Sequence, residues 1–122
     1  MNLKILPQTF TVCQLPDVSG VDFSKEFLFF SKTDEELSLV CETSAVPAIA
    51  LAREDGWCGF RVGGVLDFSL VGILAEISGV LAAQKISIFA VSTFNTDYIF
   101  TKADVFDRAK EALCAKGYAI LE

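Results

Sequence analysis

Between Val65 and Lys102 the spacing of apolar residues changes period twice, and that change restricts the folds open to the chain. Leu70, Ile73, Leu74, Ile77, Val80 and Leu81 recur at the helical interval, which predicts an amphipathic helix from about Ser69 to Gln84. Ile86–Thr93 and Tyr98–Thr101 then read as strands joined by a tight polar turn, Ser92-Thr93-Phe94-Asn95-Thr96-Asp97. Upstream, Trp57–Val62 reads as a strand ended by Gly63-Gly64. Downstream, Asp104 is expected to cap a second helix, with Asp107 favouring the positive end of its dipole. Val105, Phe106, Ala109 and Leu113 give that helix its buried face, Gly117 closes it as a left-handed cap, and Tyr118–Leu121 is a last strand. The order β-α-β-β-α-β is the split-βαβ, ferredoxin-like pattern, with both helices on one face of an antiparallel sheet.

The first half reads as a degraded copy of the same unit. Leu3–Leu15 is extended, with Pro7 near its start, and Pro16, Asp17, Ser19 and Gly20 form a loop where the first helix would stand. Phe27–Ser31 and Glu36–Cys41 read as a hairpin around Lys32-Thr33-Asp34-Glu35. Thr43 or Ser44 is expected to cap a short helix that holds Pro47 in its first turn, runs on to Arg53 and stops at Glu54-Asp55-Gly56. The fold class is therefore α+β: two tandem ferredoxin-like units over 1–56 and 57–122, antiparallel sheets with helices on one face, the first unit lacking its first helix. The halves share almost no residue identity, so the repeat is one of topology. Ile88-Phe89-Ala90-Val91 and Tyr98-Ile99-Phe100 are apolar on both alternating sets. A sheet covered on one side only shows a polar second face. The second face is thus expected to be covered by the other half or by another subunit, unless these strands are central in one larger sheet.

Composition narrows the partners. The chain has 122 residues, of which 52% are hydrophobic, yet no apolar run approaches the roughly 20 residues of a spanning helix. Asp67, Glu76, Lys85 and Asp97 interrupt the longest candidates, and Pro7 and Gln8 leave no signal-peptide core, so a cytoplasmic protein with no membrane partner is expected. The surplus of apolar residues points to subunit contacts, and a homodimer is expected. Ten basic against sixteen acidic residues give a net charge of −6, which disfavours a nucleic-acid partner. Cys13, Cys41, Cys58 and Cys114 form no C-x-x-C pair and the chain has no histidine. Reduced, mostly buried thiols are expected, with no metal and no cofactor.

Two polar clusters carry the candidate chemistry. One is Asp67-Phe68-Ser69, where the long helix is expected to open. Leading helix N–H groups lack partners and carry partial positive charge, so a helix start suits a carboxylate. Gly72 lets a ligand or neighbouring chain approach closely. The other is the strand turn, where Thr93 brings a hydroxyl, Asn95 an amide and Asp97 a carboxylate. Asp97 suits an ammonium or guanidinium group while the helix start takes a carboxylate; together they match an amino-acid zwitterion. Ordinary capping by Asp67 or Ser69 and ordinary turn chemistry at Thr93–Asp97 are the plainer explanations. Catalytic motifs are thin: histidine is missing, and there is no G-x-S-x-G elbow, P-loop or G-x-G-x-x-G. Cys114 between Lys110 and Lys116 is the one hint of thiol chemistry.

The segment LDFSLVGILAEISGVLAAQKISIFAVSTFNTDYIF resembles an ACT domain, the amino-acid-sensing module of many regulated biosynthetic enzymes. It is similar to small stand-alone proteins with paired ACT domains, and to the ACT repeats of aspartate kinases and cytosolic arginine sensors that share the STF-x-x-D turn. The likeness is strong from Gly59 to Leu121 and weaker over the hairpin FLFFSKTDEELSLVC. It implies a ligand at an interface between ACT units, held by Asp67, Phe68, Ser69 and Leu70 of the helix loop and by Thr93, Phe94 and Asp97 of the turn. The loop departs from the family's small-residue pattern, with its glycine delayed to Gly72. The implied function is a non-catalytic regulatory module binding an amino acid. An oligomerisation module without ligand, or a small thiol-dependent enzyme, are the alternatives.

Overall fold

The computed structural model describes residues 1–63 and 72–122. In chain order these form β1 (Asn2–Ile5), β2 (Phe10–Leu15), β3 (Phe29–Lys32), β4 (Leu37–Glu42), β5 (Ala52–Val62), α1 (Ile73–Ala83), β6 (Ile88–Ser92), β7 (Asp97–Lys102), α2 (Phe106–Ala115) and β8 (Ala119–Leu121). Single 3-10 turns occupy Thr43–Ala45 and Ala103–Val105. The chain divides into two compact units, Met1–Pro7 with Cys58–Glu122, and Gln8–Trp57.

The larger unit has the expected β-α-β-β-α-β order from the second half of β5 to β8. Its sheet has one strand more than the pattern requires. β1 lies between β5 and β8, antiparallel to the first (Leu3↔Val62) and parallel to the second (Leu3↔Ile120), so the order is β6-β7-β5-β1-β8. A division at Gly56 would place residues 1–7 in the first unit; their strand hydrogen-bonds in this one instead. Alternation along β5 turns Phe60 and Val62 toward the helices, where they bury with Leu3, Ile77, Leu81, Ile99, Ala109 and Leu113. Burying such a side chain contributes about 1.5–3 kcal/mol, which makes this helix–sheet layer the main source of the unit's stability. Phe60 packs on Phe106 with ring centroids 5.7 Å apart.

α1 spans Ile73–Ala83, with Gly72 before it at φ 83° in the left-handed region; Ser69–Val71 of the expected helix lie outside the described residues. α2 starts at Phe106; Asp104 lies in the preceding 3-10 turn and makes no side-chain capping bond, although Asp107 does occupy the first helical turn. Gly117 takes the expected left-handed conformation, at φ 97°.

The smaller unit pairs its strands in the order β3-β4-β2-β5, using residues Ala52–Trp57 of β5. The short helix expected from Thr43 to Arg53 is not formed. Val46 is extended at ψ 124°, the conformation imposed on a residue that precedes proline, and only the 3-10 turn Thr43–Ala45 remains. Ala52–Asp55 belong to β5, and Gly56 does not stop a helix but makes a bulge. Phe10 faces Trp57 and Val12 faces Glu54, so β5 holds one extra residue there, with Gly56 at φ 84°. Val21, Leu28, Val46 and Ala50, from the two segments standing in place of helices, cover a small core of Cys13, Leu15, Leu39 and Cys41.

The two units share a spacing and a turn geometry. β4 and β7 begin at Leu37 and Asp97, a separation of 60 (97 − 37), and the 3-10 turns after them keep the same separation. Both hairpins close the same way: Thr33 N donates to Glu36 O at 3.0 Å, and Thr93 N to Thr96 O at 2.8 Å.

Candidate functional site

The β6–β7 turn is built by two threonines. Thr93 Oγ1 donates to Thr96 O at 3.0 Å and accepts from Thr96 N at 3.3 Å. Thr33 does the same work in the other hairpin, accepting from Glu35 N and Glu36 N at 3.1 and 3.2 Å. The hydroxyl of Thr93 is therefore a turn-forming group first. Thr96, which is buried, sends its hydroxyl to Val62 O at 2.7 Å. This bond seats the turn against the end of β5, where the chain departs toward α1. Thr96 is not among the expected ligand residues, although its position at the close of a tight turn is a signal for such an anchor.

Around that anchor the remaining turn residues face outward. Phe94 is 82% exposed and Asn95 is exposed. Asp97 is half-buried and accepts from Ser92 Oγ through Oδ1 at 2.6 Å. Asp67, Phe68, Ser69 and Leu70 lie outside the described residues.

At the start of α1, Gly72 borders a cavity of about 340 Å³ lined also by Met1, Ile73, Glu76, Lys116 and Tyr118. Tyr118 Oη donates to Glu76 Oε1 at 2.5 Å. Burial, then the hydrogen bond to Glu76 and its negative charge, push the Tyr118 phenol up to about 12. Glu76, Lys116 and Tyr118 are not among the ligand residues expected from sequence, because the ends of α1, α2 and β8 meet here only in the folded unit. The described lining of this cavity does not include Thr93, Phe94, Asn95 or Asp97. Gly72 and the turn are thus not brought into one described pocket.

Among the described residues no group of three or more Cys, Asp or Glu side chains is placed to hold a metal ion. All four cysteines are free. Burial pushes the Cys41 thiol up to about 11 and raises those of Cys13 and Cys58, the opposite of what a nucleophile needs. No helix among the described residues is long and apolar enough to cross a membrane.

Comparison with known proteins agrees with this architecture. The ACT domain family model matches residues 52–115. The rat protein named cytosolic arginine sensor for mTORC1 subunit 1 is 38% identical over 104 residues, which cover 74% of this chain and 31% of that one. The chain thus spans about a third of the length of that curated relative. A crystal structure of a protein from Agrobacterium tumefaciens superposes with a TM-score of 0.87 at 27% identity, covering 98% of this chain and 91% of the other. The aspartate kinase of Clostridium acetobutylicum shares the fold at a TM-score of 0.61 and 14% identity, over 91% of this chain and 32% of the kinase. With more than half of its length matched by the family model, the chain belongs to the ACT domain family.

Proposed function

We propose that this chain is a non-catalytic regulatory module that binds an amino acid. The observation that carries the proposal is the Thr96–Val62 hydrogen bond, which holds the Asp97 turn at the end of β5 from which the chain runs to α1. Asp97 Oδ2 takes the cationic group of the ligand, Asn95 a neutral polar group, and Phe94 covers an apolar stem. The helix start at Gly72–Ile73, with the loop Asp67–Leu70 before it, takes the carboxylate. The site is completed by a further ACT unit, so that ligand favours one association of units over another and a regulatory partner reads the difference. The proposed state is a cytoplasmic homodimer. Because a relative is named an arginine sensor, arginine is the first ligand to test.

The test is a thermal-shift series of the whole chain against the common amino acids. A ligand at about 100 times its Kd stabilises the folded state by about 2.7 kcal/mol, a large rise in Tm. The expected result is a rise with one amino acid or a related few, lost in Asp97→Ala while the far-UV spectrum is kept. A series with no response would leave an oligomerisation module as the better reading. An undiminished response in Asp97→Ala would remove the turn from the site.

A further inference from the structure

We infer that the groove between α2 and the outer edge of β8 docks an extended peptide segment of a partner protein. The segment adds to β8 as an antiparallel strand and carries an aliphatic residue with a lysine or arginine two positions before it. The inference is independent of the amino-acid site proposed above, because in the sheet order β6-β7-β5-β1-β8 this edge is the one farthest from the β6–β7 turn. Among the described residues β8 pairs with β1 alone. The ladder fixes which of its backbone groups are spent. Ala119 N donates to Met1 O at 3.1 Å, in a parallel register that matches Asn2 with Ala119 and Lys4 with Leu121. On its other side β1 gives Asn2 O to Gly63 N and Leu6 N to Gly59 O, so its even-numbered residues face β5 and its odd-numbered residues face β8. Ala119 and Leu121 therefore bond to β1, and the N–H and C=O of Ile120 point outward to where an added strand would meet them.

Beside this edge lies a groove of about 440 Å³. Its floor is Ile5 and Ile120, both half-buried against the helix-side core, and its far wall is the α2 stripe Asp107, Lys110, Glu111 and Cys114. Glu122 closes the near end. A strand laid along β8 turns the side chain opposite Ile120 to the same face of the sheet, over this floor. Two residues earlier in an antiparallel segment, the side chain stands opposite Glu122. A strand added beside a helix, with one side chain lodged between them, is a recurring mode of peptide recognition.

Charge selects the occupant. Lys110 is already held, with Nζ 3.1 Å from Asp107 Oδ1 and 5.3 Å from the centroid of the Phe106 ring. That pair leaves Glu111 and Glu122 as the net charge of the groove. A cation opposite Glu122 offsets that charge, while the aliphatic residue after it covers Ile5 and Ile120. A second copy fits less well, since it brings another Glu111 and Glu122 to the seam in a chain whose net charge is already −6. β8 has three residues and offers few backbone bonds, so the groove and its carboxylates supply the selectivity.

The test is fluorescence anisotropy of the whole chain with a fluorescein-labelled peptide, GSKTVTSG, whose valine is meant for Ile120 and whose lysine for Glu122, and with its GSETVTSG counterpart. The expected result is saturable binding of the lysine peptide at low ionic strength, at least about tenfold weaker for the glutamate peptide. Glu111 and Glu122 are exposed, so the double variant Glu111→Arg, Glu122→Arg keeps its far-UV spectrum, and in it the preference between the two peptides reverses. Methylating the backbone nitrogen of the peptide valine removes the donor to Ile120 O and weakens binding about tenfold; methylating that of the preceding threonine, which points away from β8, does not. Bound peptide also slows modification of the exposed Cys114 by an aromatic disulfide reagent. No saturable binding of the lysine peptide would overturn the inference. Binding that neither the charge reversal nor methylation at valine weakens would also overturn it, by placing the peptide elsewhere. Self-association of the native chain that the peptide disperses would make a second copy the occupant and overturn a partner segment.

Discussion

Replacing Gly59 by alanine tests whether β5 and β7 are packed as described. Gly59 sits on the face of β5 opposite Phe60. A Cβ there would lie 2.7 Å from both Cδ1 and Cε1 of Phe100 and 3.4 Å from Ile99 O. The Phe100 ring is fully buried and stacked on Phe89, centroids 4.7 Å apart and planes within 13°. It therefore gains the missing distance only by leaving the stack or by moving β7. Forcing a methyl group into such a site costs about 1–3 kcal/mol, and the entropy that alanine removes from the unfolded chain returns about 0.4–1 kcal/mol. A net loss of about 1–2 kcal/mol is expected. With an unfolding entropy of about 2.1 cal/mol/K per residue, or about 0.26 kcal/mol/K for this chain, Tm should fall by about 4–8 °C. Thermal unfolding followed by circular dichroism measures it. Phe100→Leu lowers stability by itself, but it makes room, so Gly59→Ala should cost less in that background than in the native chain. A Gly59→Ala variant at or above the native Tm would refute the close approach of β5 and β7.

Other outcomes follow from the same geometry. The Tyr118 phenol is raised to about 12 from its ordinary 10, so its contribution to stability is fully present below about pH 10 and is lost as pH rises toward 12. Alkaline titration of tyrosinate absorbance should show a late-ionising step for Tyr118, which Tyr118→Phe should remove. Tyr118→Phe also deletes the hydrogen bond to Glu76, with an expected loss of about 1–2 kcal/mol in denaturant unfolding; no loss would mean the bond is not kept in solution. In the native chain an aromatic disulfide reagent should modify the exposed Cys114 first, with Cys13 and Cys41 reacting only on unfolding. Early modification of Cys41 would contradict its burial.

Much of the larger unit is legible in the sequence because its signals are local. The apolar stripe of α1, the strand pair around Thr93–Asp97 and the glycine after α2 each announce themselves within a few residues. The errors arise where a neighbour or a distant strand decides. Pro47 was compatible with a first helical turn, but its effect on Val46 denied the helix that turn. Glu54-Asp55-Gly56 looks like a breaker because charged residues and glycine are poor strand formers, yet β2 pairs with that stretch and the glycine takes up the bulge. β1 joins the larger unit through partners almost 60 and 120 residues away (62 − 3 and 120 − 3), which no local pattern reports. In the candidate site, Asn95 and Asp97 were readable as polar residues in a turn. Thr96 as the anchor, and the meeting of Glu76 with Tyr118, depend on the assembled layers. The loop Asp67–Leu70 rests on the expected helix start at Ser69 and on the resemblance, and lies outside the described residues.

The most direct test of the proposed function is a chemical-shift titration of the isotope-labelled chain with arginine and then with the other common amino acids. The expected result is saturable movement of the backbone amides of Gly72 and Thr93–Asp97 with one ligand or a related few, and no such movement in Asp97→Ala. Saturable binding whose shifts are confined to Gln8–Trp57, or the absence of any response at Gly72 and Thr93–Asp97, would contradict an amino-acid site at this end of the ACT fold.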